Sequence, residues 1–293
     1  MKNHLVKNLT FTVLILALSG VFSAVYSQKK SIASPAKSGV KLEYKYPEGK
    51  TFKYISDTKV VQNLDVNGQS MLVNIAMYMG CEVKAARKMG DNLNLEITID
   101  SMAQNIESPQ GTAGGPIVDV KGKSFNMVIS PAGKTVNIAE AEKVVYNIEG
   151  SGENNMVQAF LNYFPALPKG SVNPGDTWVS NDTIDSKAPT NTMWMPVESK
   201  FKFEGTETIA GIECAKITAD LSGTRKMITQ SQGMEIHTAG PYTGTQVLYI
   251  ALKEGYLVKE TVNTKMTGNI EIPDQNMSFP VVMTVISNNE VVK

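Results

Sequence analysis

The chain has 293 residues, 42% of them hydrophobic, with 28 basic and 28 acidic side chains and a net charge near zero. That balance excludes the strongly basic surface that steers a protein toward nucleic acid or an anionic membrane. Two histidines and two cysteines leave little material for the usual zinc sites or for histidine-based catalysis.

The first 27 residues read as a secretory signal. Lys2 and Lys7 form a positive n-region, Leu9 to Val25 is an apolar core, and Val25-Tyr26-Ser27 supplies acceptable residues at the −3 and −1 positions. Cleavage is expected between Ser27 and Gln28. The core is short for a membrane-spanning helix. No cysteine precedes Cys81, so a lipobox is lacking. The expected mature chain is periplasmic or secreted, with no transmembrane segment, and keeps 266 residues, 26 basic against 28 acidic. Residues 28–39 are polar and contain Pro, Gly and Ser, and read as a flexible tether.

Beyond the tether the dominant signal is period-2 alternation. From Met71 to Ala85 every odd residue is apolar, while the even positions include Asn74, Glu82 and Lys84. After Gly90-Asp91, the residues Leu93, Leu95, Ile97 and Ile99 alternate with Asn94, Glu96, Thr98 and Asp100. Such runs predict strands with one buried and one wet face, joined here as an antiparallel hairpin. Further strands are expected near 41–46, 51–63, 117–129, 193–209, 212–222, 243–252, 256–268 and 279–288. The fold class that follows is all-β: a curved antiparallel sheet or half-barrel, not a parallel α/β sheet.

Residues 138–170 break the pattern and read as a helical connection. Met156, Val157, Phe160, Leu161 and Phe164 fall at helical spacing, Gly150 to Gly152 separate two short helices, and Pro165 and Pro168 end the second. These helices are expected to cover one face of the sheet. Flanking them, 40–137 and 171–293 read as two copies of one β plan. Gly49-Lys50-Thr51-Phe52 answers Gly175-Asp176-Thr177-Trp178, the turn at Gly90 answers that at Gly211, and the turn at Gly133 answers that at Gly255.

Catalytic motifs are hard to find. His237 is the single imidazole of the expected mature chain and falls in the glycine-rich stretch 233–244, which reads as a solvated connection. Three Gly-Lys-Ser/Thr triplets, at Gly49, Gly122 and Gly133, lack the first glycine of a phosphate loop and read as turns. The chain is therefore expected to be non-enzymatic and to need no cofactor. Met77, Met79 and Cys81 place three sulfurs on one strand face, a row that suits a soft metal such as Cu(I) or fills an irregular core. Phe160, Phe164, Trp178 and Trp194 are candidates to line a greasy pocket, although a packed core needs the same residues. Asp100-Ser101-Met102 and Asp182-Thr183-Ile184 match a short O-glycosylation sequon. Cys81 and Cys214 leave a single disulfide open.

The Ser-Gln end of the signal, the stretch YPEGKTFKY (46–54) and ALPKGSVNPGDTW (166–178) together resemble a family of uncharacterised exported Bacteroidota proteins. The resemblance spans most of the mature chain and brings no functional residues with it. In architecture the expected sheet with covering helices is similar to the half-barrels that carry lipids or lipoproteins through the periplasm. The functional expectation is an exported binding protein that holds a lipid-like or other hydrophobic small molecule on its apolar sheet face. The alternatives are a structural or partner-binding envelope protein, and a soft-metal (copper) binder.

Overall fold

The computed structural model describes residues 39–66, 68–86, 90–148, 152–231 and 233–292. The signal, residues 28–38 of the tether, and Gly150 and Ser151 of the helical connection lie outside these.

The chain forms one dominant sheet, as the alternation predicts. Its strands are β2 (Thr51–Val66), β3 (Gln69–Ala85), β4 (Leu93–Ser108), β5 (Gly111–Pro116), β6 (Ser124–Ile129) and β7 (Thr135–Asn137) in the first half. The second half adds β11 (Thr177–Lys187), β12 (Asn191–Ile209), β13 (Ile212–Ser231), β14 (Met234–Ala251), β15 (Leu257–Ile272) and β16 (Met277–Val292). Short pairs stand apart from it: β1 (Val40–Lys41) with β10 (Ser171–Val172), and β8 (Val145–Ile148) with β9 (Gly152–Asn155).

The sheet has 12 strands in the order β11-β12-β13-β14-β15-β16-β2-β3-β4-β6-β7, with β5 also on β4, and every ladder is antiparallel. It is an open, curled sheet that does not close into a barrel. The last strand pairs with the first long one, from Val281 opposite Leu64 to Val292 opposite Lys53. The two free edges, β11 and β7, are joined through the connection 138–176. Among the described residues no helix is long and apolar enough to cross a membrane.

Two features depart from the sequence expectation. In place of two short helices, the connection holds a 3-10 turn (Ala139–Lys143), the β8–β9 hairpin and a single helical turn (Val157–Phe160). Val144, Val145 and Ile148 are β-branched and favour the extended form, while Pro165 stops any helical continuation. The stretch 233–244 is the start of β14 rather than a connection, and His237 sits in the ladder between Ile228 and Glu271. Gly233 is the turn before it, at φ 76°, while Gly240 answers a close approach of strands. A Cβ on Gly240 would stand 2.5 Å from Thr267 O, and one on Gly268 would stand 2.0 Å from Ala239 O.

The phase of alternation also changes inside β4. Register slips between Gly80 and Cys81, so that Asp100 is an extra residue opposite β3. Before this bulge the odd residues to Ile99 face the core; beyond it Gln104 and Ile106 do. A bulge shifts every later side chain to the other face while keeping the strand in the ladder.

Candidate functional site

The inner face of the curled sheet has two contrasting ends. At one, the starts of β2 and β4 and the end of β14 meet the connection and the stretch 40–46. Here Phe160 lies edge-on to Phe125 (5.1 Å between centroids) and stacks with Tyr163 (4.8 Å). Phe164 meets Tyr44 (5.5 Å) and Tyr46 (5.7 Å), and Phe52 meets Tyr256 (4.4 Å). Each such pair adds about 0.5–1.5 kcal/mol beyond the area it buries. The phenols are tied down as well: Tyr54 donates to Leu257 O (2.7 Å), and Tyr163 donates to Asn289 Oδ1 (3.0 Å). Burial holds the Tyr54 and Tyr163 hydroxyls well above their ordinary pKa.

The predicted sulfur row reaches this end. Met79 and Cys81 are buried and Met77 half-buried. The Cys81 thiol faces Tyr163 Oη at 3.7 Å, and burial pushes its pKa up to about 12. A thiol held that high stays protonated at neutral pH, whereas a soft metal takes the thiolate. Cys81 and Cys214 are both free and buried.

The four aromatic candidates do not meet. Phe160 and Phe164 belong to the packed end just described. Trp178 stacks on Phe201 at the β11 edge (5.3 Å, 12° between planes). Trp194 points outward, 43% exposed, beneath Lys226 Nζ at 5.3 Å.

The opposite end was not legible as a site from the sequence. Its inner face is lined by Met193, Met195, Met227, Met266 and Met283, all buried. Met193 stands opposite Met227, and Met266 stands opposite Met283 and Tyr242. Arg225 projects among them from β13. Its backbone lies opposite Gly240, and beyond Gly240 comes Gly268 of β15. Because neither glycine carries a side chain, the guanidinium reaches across them to β16, where Nη1 donates to Met283 Sδ (3.6 Å), and Nη2 donates to Met227 Sδ (3.3 Å). Burial lowers its pKa to about 10, so it remains a cation at neutral pH.

On the far side of Met283, directly across the β16–β2 ladder, is Gln62. It is 0% exposed, and neither atom of its amide has a hydrogen-bond partner. Leaving such a group unsatisfied costs about 1–3 kcal/mol. Between the two ends runs a belt of buried polar groups. Gln246 donates to Glu260 Oε1 (2.5 Å), Thr58 meets Ser287 (2.8 Å), and Ser56 donates to Asn289 (3.0 Å). Burial pushes the Glu260 carboxyl up to about 8, so it is mostly protonated at pH 7.

A cleft of about 720 Å³ opens beside the methionine-lined end, bordered by Asp182, Pro196 and Gly223. A Cβ on Gly223 would stand 2.8 Å from Tyr242 Oη, which itself donates to Pro196 O at 3.3 Å. Asp182 is pushed up to about 7 by burial, against the pull of the Ser180 hydroxyl. The larger cleft, about 1040 Å³, lies outside the aromatic end and is bordered by Lys41, Lys45, Lys134 and Lys169 with Glu43 and Asp91. Glu43 there bridges Lys41 (2.6 Å) and Lys45 (3.3 Å). Among the described residues no group of three or more His, Cys, Asp or Glu is placed to hold a metal.

No protein-family model matches the chain, and no curated sequence does. Among solved structures it is similar to DynF of the dynemicin biosynthesis pathway of Micromonospora chersina, at 6% identity and TM-score 0.25, covering 92% of this chain and 94% of that one. An outer membrane channel from Pseudomonas putida matches at 8% identity and TM-score 0.28, over 89% of this chain and 100% of the channel. A protein from Bacteroides fragilis, described as exported and with a YmcC-like fold, matches at 11% identity and TM-score 0.24, over 85% of this chain and 97% of that one. Likenesses of this size carry no argument about function.

Proposed function

We propose that the chain is an exported, non-enzymatic binding protein that holds a hydrophobic small molecule against the methionine-lined end of its inner sheet face. The observation behind this reading is the lining itself. Five buried methionines share one concave face beside an unpartnered polar amide. Methionine is unbranched and polarizable, and adapts to apolar partners of varied shape. Pockets for small molecules are typically apolar with a few fixed polar groups. The export half of the proposal rests on the signal-like residues 1–27.

Native mass spectrometry of the protein purified from an exporting host, followed by organic extraction, tests the reading. A retained apolar molecule, lost on extraction, is the expected result. A clean apo mass that stays unchanged when amphiphiles of graded chain length are added counts against it.

A further inference from the structure

We infer that the free edge of β11 receives an extended segment of a partner protein as an added strand, with a lysine or arginine of that segment directed to the cleft at Asp182 and Glu198. This is a protein-docking surface, additional to the apolar site just proposed and independent of it.

The two ends of the strand order differ. β7 is three residues long, the short form that blunts an edge against pairing. β11 runs for 11 residues without a proline, and its ladder with β12 is unbroken from Thr177 opposite Lys202 to Lys187 opposite Thr192. The phase of that ladder fixes where its free groups point. Ala188 and Asn191 exchange both backbone hydrogen bonds (2.8 and 3.3 Å), and in an antiparallel pair such bonded positions alternate with unbonded ones. Counting back, Ser186, Ile184, Asp182, Ser180 and Trp178 bond to β12. Thr177, Val179, Asn181, Thr183, Asp185 and Lys187 therefore turn their N–H and C=O groups away from β12, and all six are exposed. The Thr183 N–H leans on the Asp182 carboxylate; otherwise, among the described residues, these groups have no backbone partner. An extended peptide satisfies such a row with main-chain bonds, and neighbouring pockets select its side chains.

Charge selects the partner. The cleft of about 720 Å³ beside Asn181 and Thr183 is bordered by two acids, Asp182 and Glu198, and by no base. Lys200 bridges Glu198 at 3.0 Å from outside that border, an exposed pair of the kind that contributes little and exchanges readily. Lys134 draws on Asp182 more weakly than burial or its hydrogen bonds do. Neighbouring strands lie about 4.8 Å apart, a gap that a lysine or arginine on the added strand spans to cross β11 and enter the cleft. The same acids argue against a second copy. Pairing two β11 edges about their midpoint sets Asp182 and Glu198 against their own equivalents, and like charges so placed repel.

Fluorescence anisotropy of a blocked, labelled peptide Thr-Val-Thr-Lys-Thr-Val-Thr titrated with the full exported chain tests this. At low salt the lysine peptide should bind about tenfold more tightly than its central-glutamate version. Its fully N-methylated version, which offers no strand-pairing donors, should lose about tenfold or more. Asn181→Pro takes one donor from the open edge and spares the β12 ladder, because that N–H faces away from β12. It should weaken the lysine peptide by a similar factor with the unfolding midpoint little changed. Asp182→Asn combined with Glu198→Gln should shrink the lysine-to-glutamate ratio toward one while binding persists. No binding of the lysine peptide by wild type overturns the inference. Binding indifferent to N-methylation and to Asn181→Pro overturns the edge assignment, and a ratio unchanged in the double variant overturns the charge assignment. Two further results overturn the partner named here: a dimer in sedimentation that Asn181→Pro dissolves gives the edge to a second copy, and tighter binding of a peptide of residues 28–38, which holds Lys29, Lys30 and Lys37, gives it to the chain's own segment.

Discussion

The two ends of the inner face are built from different side chains, and on the proposed reading the difference separates the end that packs the sheet from the end that takes a guest. At the aromatic end, rings from the connection interlock with rings from β2, β6 and the 40–46 stretch, and the hydroxyls are spoken for by backbone and side-chain acceptors. Rigid rings with two torsions each leave little slack once packed. At the methionine end the lining is flexible, four of its neighbours are glycines (Gly223, Gly240, Gly244 and Gly268), and an amide waits without a partner.

The contrast breaks most sharply under truncation at the aromatic end. Phe160→Ala empties a site contacted by Phe125 and Tyr163, and should destabilise the protein by about 3–5 kcal/mol with amphiphile affinity retained wherever the variant is folded. Urea unfolding and amphiphile titration check this together. A small stability loss with abolished binding would mean that the guest sits at the wrong end.

A smaller effect sharpens the boundary between the ends. Burial raises the pKa of Glu260 to about 8 from an ordinary value near 4.5, so the folded state holds its proton more tightly than the unfolded chain. Its favourable contribution is full below about pH 4.5 and is lost as pH rises toward 8, at up to about 1.4 kcal/mol per pH unit. Glu260→Gln keeps the size and the partner Gln246 without the ionisation. Unfolding free energies at pH 5.5 and 7.5 should show a marked fall for wild type and a much flatter line for the variant. Equal slopes would show that Glu260 ionises freely.

The strands were legible where alternation was clean, as from Met71 to Ala85 and from Leu93 to Ile99, because one wet and one buried face impose period 2 directly on the sequence. The pairing of β16 with β2 was not, since residues such as Val281 and Leu64 are far apart in sequence and no turn joins them. The connection misled because Met156, Phe160 and Phe164 fit a helical stripe, yet their burial is set by the rings they meet. The methionine end had one readable signal. In Ile217, Ala219, Leu221, Gly223, Arg225 and Met227 an arginine holds the inward phase of an apolar alternation. Ending that strand near 222 hid it. Gln62 and Thr58 likewise hold inward positions in β2, a polar interruption visible once the strand's phase is known.

Photo-crosslinking tests the division between the ends most directly, using dodecanoic acid with a diazirine at its far end and peptide mapping of the adducts. The account predicts adducts on the inner residues of β12 to β16, among them Met193, Met227 and Met266, suppressed by excess dodecanoate. Adducts confined to the outer face, where Leu72, Val282 and Ile286 are exposed, or to Phe160 and Phe164, would contradict it.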